Sequence, residues 1–221
     1  MKKILSKIAL AFLLTGVFLS VWITYDLYAP HKVDLRQFDA DEVARLDTAM
    51  WRSYYSRERV KLYSQLTELL EKQYKLNFWR RQLMAYRAAR ATFIFKDGKS
   101  RADYEKALPD LEKFYGEIRA VSTTDFDAKR AAKLELEWWI VHRERAKYRE
   151  GDLANALAAT ASAVYNQPQE VFLEHGRRRA EAMKIRDASA EAGGVTEENW
   201  QKIDELLHES WRSLHTAVNT K

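Results

Sequence analysis

Apolar residues near the start of the chain form one continuous block rather than a periodic stripe. The stretch from Ile8 to Tyr25 holds eighteen residues without a charge and is bounded by Lys7 and Asp26. This length is near the roughly 20 residues that a helix needs to cross a bilayer. The pattern therefore predicts a membrane-spanning helix, whose anchoring residues include Ile8, Leu14, Phe18, Trp22 and Tyr25.

The end of this block favours a retained anchor over a cleaved signal peptide. Trp22, Tyr25 and Tyr28 collect there, where aromatic rings favour the headgroup layer, and Pro30 discourages continuation of the helix. A signal peptide usually has a shorter apolar run of about 7 to 15 residues, followed by a small-x-small cleavage site. Residues 27–29, Leu-Tyr-Ala, do not form such a site. We therefore expect a single-pass signal anchor.

Charge on either side of the span predicts its orientation. Lys2, Lys3 and Lys7 precede it, whereas Lys32 and Arg36 follow it among several acidic residues. Because positive charge collects on the cytoplasmic side, the amino terminus should be cytoplasmic. The MKK start suggests a bacterium, and the large domain would then lie in the periplasm, anchored in the inner (cytoplasmic) membrane.

Beyond residue 28 the pattern becomes helical, and no segment sustains the period-two alternation of a strand. A linker over residues 29–38 precedes an all-α domain over residues 39–221, which we expect to be bundle-like with about six to seven helices. Capping residues, glycines and prolines predict a first helix from Asp39 or Asp41 to about Leu76 and a later one from Asp125 or Asp127 to about residue 150. The other predicted helices cover residues 78–95, 102–120 with a kink at Pro109, 152–165, 168–192 and 196–218.

Residues 151–180 have the small residues and terminal proline of a tetratricopeptide unit. No second copy recurs about 34 residues away, and the predicted first helix is longer than such a unit allows. A single packed domain is therefore favoured over a repeat array.

Composition and charge exclude some classes of function. The chain has no cysteine, so disulfides, thiolate metal sites and cysteine nucleophiles are excluded. The formal net charge of +5 falls to +2 without the three leading lysines. The domain thus has no electrostatic reason to bind nucleic acid.

One set of polar residues on apolar helix faces suggests a metal site. Glu58 shares an arc with Trp51, Tyr55 and Leu62, which predicts a partly buried carboxylate. Glu135 and His142 share a face with Trp138 in a later predicted helix. Glu205 and His208 form a Glu-x-x-His pair, as in ferritin-like di-iron bundles, although those use two such pairs. A metal-dependent redox enzyme built on these residues is the first alternative function.

Other catalytic motifs are missing. The sequence has no Gly-x-Gly-x-x-Gly or Walker loop, no Gly-x-Ser-x-Gly and no His-x-x-x-His. We therefore predict no catalytic residue and no cofactor.

Two basic segments are candidate contacts for lipid headgroups or for an acidic partner. They are Arg177, Arg178 and Arg179, and the aromatic-basic run Trp79, Arg80 and Arg81. Together with the anchor, they favour a non-catalytic helical accessory subunit or adaptor of a larger energy-transducing, transport or envelope assembly. A periplasmic ligand-sensing domain is the second alternative.

Overall fold

The computed structural model describes residues 2–220, and the side chains of all of these except Lys2, Lys3 and Leu5. The orientation prediction relies partly on Lys2 and Lys3, whose side chains lie outside this description. Every regular element within residues 2–220 is helical, and strand-like pairing there is limited to one bridge, between Val33 and Ser122. The all-α prediction is confirmed.

The first helix, α1, spans Lys2–Tyr28 and is about 40 Å long at 1.5 Å per residue. Its part from Ser6 to Tyr28 is long and apolar enough to cross a membrane, and its apolar window is not buried against the rest of the protein. Large side chains on it, such as Phe12 and Phe18, are 75% and 71% exposed. The membrane anchor itself stays a prediction.

The predicted long helix ending near Leu76 is two helices, so that prediction is wrong. α2 spans Ala40–Tyr55 and α3 spans Arg59–Tyr74, and the chain reverses between them at Arg57, whose φ is +60°. Folding α3 back onto α2 buries Leu70, only 1% exposed, whereas one continuous helix would leave its second half without a neighbour.

The remaining helices follow the sequence pattern more closely. Asp39 caps α2 and Asp127 caps α7, and Thr196 forms a capping box with Asn199, as the local chemistry predicts. Pro109 begins a helix instead of kinking one. The elements are α4 (Phe78–Asp97), α5 (Arg101–Tyr104), α6 (Leu108–Val121), α7 (Ala128–Arg143), α8 (Asp152–Tyr165), α9 (Leu173–Glu191) and α10 (Glu197–Asn219), with 3-10 turns at Glu105–Ala107, Arg145–Lys147 and Gln169–Phe172.

These helices form a closed ring. Each long helix from α2 onward packs on the next one, and α10 returns to pack on α2. The described domain therefore has eight long helices instead of six or seven, because the chain breaks at Arg57. The helix that was predicted to reach residue 150 ends at Arg143. The core between them is apolar, and Val43, Met84 and Ile118 have no exposed surface.

Residues 29–38, predicted as a linker, pack onto the ring. The Val33 backbone N–H donates to the Val121 carbonyl at 2.7 Å, and Thr123 donates back to Val33 at 2.9 Å. Leu35 and Phe38 are buried, 2% and 6% exposed. The segment therefore fixes α1 to the domain at short range.

Residues 151–180 form the α8–α9 hairpin, in which the two backbones approach closely. A Cβ atom at Gly176 of α9 would lie 2.1 Å from the carbonyl oxygen of Ala154 in α8. Only glycine fits at this crossing without moving a backbone. Gly116 in α6 offers a contrast, since a Cβ atom there would have no neighbour within 4 Å.

Gly176→Ala should lower the free energy of unfolding by about 1–3 kcal/mol, because the added methyl overpacks the crossing. Gly116→Ala, the matched control, should raise it by about 0.5–1 kcal/mol, because alanine favours a helix interior. Chemical denaturation of the detergent-solubilised chain, followed by circular dichroism, measures both. Equal midpoints for the Gly176 variant and the wild type would show that the two helices are not in contact there.

Candidate functional site

A buried carboxylate joins the end of α1 to the start of α4. Asp26 is 7% exposed and accepts the backbone N–H groups of Trp79 at 2.5 Å and Arg80 at 3.2 Å. The N-cap residue of α4, Asn77, makes no side-chain capping bond. Asp26 therefore caps α4 from another helix, where the positive end of the helix dipole also favours its charge.

The aromatic-basic run of α4 lies at this junction. Trp79 meets Trp22 of α1 edge to face, with ring centroids 5.6 Å apart. The Arg80 guanidinium donates to the Leu27 carbonyl, and its side chain is 6% exposed. Arg81 pairs with a glutamate of α3. Trp79, Arg80 and Arg81, predicted as partner or lipid contacts, thus bind other parts of this chain.

The predicted anchoring residues all lie on the open surface of α1. Trp22 is the least exposed, because it contacts α4. The exposed fractions are 48% for Ile8, 60% for Leu14, 71% for Phe18, 43% for Trp22 and 70% for Tyr25.

The run of three arginines on α9 is divided among different surroundings, because successive helical residues lie 100° apart. The side chain of Arg177 is 68% exposed and lies 3.3 Å from Glu174. Arg178 contacts Glu174 at 2.7 Å and Glu209 of α10 at 3.2 Å. Arg179 points into the ring. Of the three predicted partner or lipid contacts, Arg177 and Arg178 therefore lie at the surface and Arg179 does not.

Arg179 binds Asp47 of α2 through both carboxylate oxygens, and the Nη2–Oδ1 distance is 3.3 Å. The Trp211 indole N–H of α10 donates to the same carboxylate at 2.9 Å. The guanidinium carbon lies 5.6 Å from the ring centroid of Trp51 and 5.8 Å from that of Trp211. This buried cluster joins α2, α9 and α10, and its charges satisfy each other.

His175 and Ser210 form a second buried link between α9 and α10. The Ser210 hydroxyl donates to the His175 carbonyl at 3.0 Å, so its oxygen can accept from Nδ1, 2.8 Å away. Nδ1 also lies 3.1 Å from the Ser210 carbonyl, which fits a proton on this nitrogen. Burial, together with the nearby Arg179 charge, lowers the pKa of His175 to about 4.

The carboxylates proposed for a metal site have other partners. Glu135 accepts from the Tyr115 hydroxyl at 2.9 Å and from the Trp139 indole at 3.0 Å. The prediction that Glu58 is partly buried is wrong: its side chain is 48% exposed and pairs with Lys61, because the chain breaks before α3.

The other residues of this hypothesis are likewise dispersed. His142 binds Asp187 at 3.0 Å. The side chain of Glu205 is 62% exposed and pairs with a lysine one turn away. His208 donates from Nδ1 to the Asp204 carbonyl at 2.9 Å. Within residues 2–220, no three histidine or acidic side chains are grouped as a metal site requires. The di-iron alternative therefore has no ligand set in that range.

The exposed faces of α3 and α4 carry a group of aromatic side chains. Tyr63, Tyr86 and Phe93 are 38%, 52% and 49% exposed. Arg90 lies over the Tyr86 ring at 5.8 Å, and its side chain is 51% exposed. Tyr63 donates to the Gln82 carbonyl at 3.2 Å, which joins the two helices. We name Tyr63, Tyr86, Arg90 and Phe93 the α3–α4 aromatic face.

A signal for this face was present in the sequence. Tyr86 and Phe93 are seven residues apart and so share one side of a helix. Sequence alone does not tell whether that side faces the core or the solvent.

The chain matches no family model, no curated protein sequence and no solved structure.

Asp26→Ala should remove the cap of α4 at a cost of about 1–2 kcal/mol. The amide hydrogens of Trp79 and Arg80 should then exchange faster with solvent deuterium. Asn77→Ala, the matched control at the formal N-cap, should leave both rates unchanged, because its side chain makes no capping bond. Hydrogen exchange of the chain in detergent micelles measures the rates. Faster exchange in the Asn77 variant alone would contradict the assignment of the cap.

Stability should fall as the pH is lowered from about 6.5 to about 4. In this window the unfolded chain protonates His175, whose ordinary pKa is about 6.5, while the folded chain does not. The free energy of unfolding should lose on the order of 3 kcal/mol from this group.

Urea denaturation across this pH range tests the expectation. His175→Asn keeps a side-chain N–H near Ser210 but does not titrate, so its stability should decrease less with acid than that of the wild type. His31→Asn, at a histidine whose hydrogen bond lies at the exposed surface, is the matched control and should keep the wild-type slope. Identical slopes for all three proteins would refute a neutral buried His175.

Proposed function

We propose that this chain is a non-catalytic, membrane-anchored accessory subunit or adaptor of a larger membrane assembly. The observation that carries the proposal is the exposed apolar helix α1, which is fixed by Asp26 and by residues 29–38 to a ring of helices. In this proposal α1 spans the bacterial inner membrane with the amino terminus in the cytoplasm, and the ring lies in the periplasm.

The charges inside the ring are consistent with a scaffold. Asp47 and Arg179 bind each other, and Glu135 accepts two hydrogen bonds from aromatic side chains. Such fully paired interior groups fix how helices pack. They support a role in which the domain presents a constant surface to another protein.

The α3–α4 aromatic face supplies the surface that the proposal assigns to a partner. Tyrosine and arginine are enriched among the residues that dominate binding energy at protein interfaces. Tyr86 with Arg90 over its ring, and Phe93 two turns later, provide such a group on one helix. The partner would belong to an energy-transducing, transport or envelope assembly.

The native particle after gentle detergent extraction should be larger than the chain alone and should contain stoichiometric partner proteins. The double variant Tyr86→Glu, Phe93→Glu should release the chain from this particle, because charge on an aromatic anchor disfavours burial. Native mass measurement with subunit identification gives both results.

Val171→Glu is the matched control, since Val171 is also a large apolar residue, 43% exposed, but lies between α8 and α9. It should leave the particle intact. A wild-type chain that is extracted only as a monomer or homodimer would overturn the proposal.

A further inference from the structure

The first turn of α4 lies at the level of the proposed membrane boundary. We propose that Phe78 and the neighbouring Lys75 contact the lipid headgroup layer, so that the domain as well as α1 binds the bilayer. This inference rests on the proposed function, because it assumes that α1 spans the membrane.

Depth along α1 provides the first argument. The uncharged run from Ile8 to Tyr25 is about 27 Å long as a helix, close to the hydrocarbon thickness of about 30 Å. Trp22 lies three residues, or about 4.5 Å, before the end of this run. Centring the run in the bilayer therefore places Trp22 about 8 Å from the midplane, inside the hydrocarbon, and Asp26, the first charged residue after the run, about 14 Å from the midplane, at the edge of the headgroup layer.

The contacts that α4 makes with Trp22 and Asp26 determine how deep its first turn lies in the bilayer. The rings of Trp22 and Phe78 are stacked, with centroids 6.2 Å apart and planes inclined by 17°. The Asp26 cap holds the first turn of α4 against α1. Because Asp26 accepts from the backbone of Trp79, the residue after Phe78, the Phe78 backbone lies near the level of Asp26 whenever α1 spans the bilayer, and its ring extends back to Trp22.

The chemistry of this surface matches a membrane interface. Phe78 remains 43% exposed although it stacks on Trp22, and Tyr25 and Tyr28 on α1 are 70% and 78% exposed. Exposed Lys75 lies three residues before Phe78, where its ammonium group can reach lipid phosphates. The Asp26 carboxylate is buried against backbone N–H groups, so its charge does not face the lipid. Exposed rings with a cation beside an apolar helix favour lipid over a water-soluble partner.

The absence of cysteine allows single-cysteine labelling of the full chain. Four variants would carry an environment-sensitive fluorophore in vesicles of phosphatidylethanolamine and phosphatidylglycerol: Phe12→Cys, Lys75→Cys, Phe78→Cys and Glu198→Cys. Nitroxide lipids with the quencher at the headgroup or deep in the acyl chain measure the depth of each label.

Glu198 is the control position, where we expect the label to lie in water and not in lipid. It lies in the first turn of α10, a 23-residue helix about 34 Å long, and Asn219 at the other end donates to the Arg36 carbonyl near α1. Its label should lose no emission to either quencher.

The Phe78 and Lys75 labels should lose emission to the headgroup quencher, and the Phe12 label to the deep one. Loss at Phe12 without loss at Phe78 and Lys75 would overturn this inference and leave the anchor intact. The Lys75 label guards against disturbance of the stacked ring by the Phe78 substitution. Absence of quenching at Phe12 would instead refute the membrane span, and with it both proposals.

Discussion

The pair between Asp47 and Arg179 links three helices at the place where the helix ring closes. The pair brings a carboxylate from α2 and a guanidinium from α9 together, and the Trp211 indole of α10 donates to the same carboxylate. Removing one partner of a buried pair typically costs about 3–5 kcal/mol, because the other charge is left unpaired. This cluster therefore links the beginning of the domain to its end, together with the packing of α10 on α2.

Local chemistry was readable from the sequence where the partner atoms lie within one turn. Asp39, Asp127 and Thr196 each cap a helix through backbone groups two or three residues away, so the local sequence predicted these starts to within two residues. The apolar run of α1 was readable for a similar reason, because length and lack of charge are properties of the segment itself.

Long-range geometry was not readable in the same way. The break at Arg57 is explained by the burial of α3 against α2, and helical periodicity continues across it. Asp26 caps a helix more than fifty residues later, and Arg179 pairs with Asp47, 132 residues away. The surroundings of the candidate residues were therefore not predicted: Arg179, one of three arginines expected at the surface, points into the ring, and the exposed α3–α4 aromatic face was not identified.

The attachment of residues 29–38 also limits where a partner can meet this protein. Asn219, at the end of α10, donates to the Arg36 carbonyl at 3.3 Å, and Arg36 lies only eight residues after the end of α1. The far end of α10, next to Gly193 and Gly194, is about 34 Å from that contact. If α1 spans a membrane, no flexible linker separates it from the domain, and the domain does not move freely above the bilayer. The end of α10 that carries Asn219 is then held near the end of α1, and a partner of α10 must bind within about 34 Å of that contact.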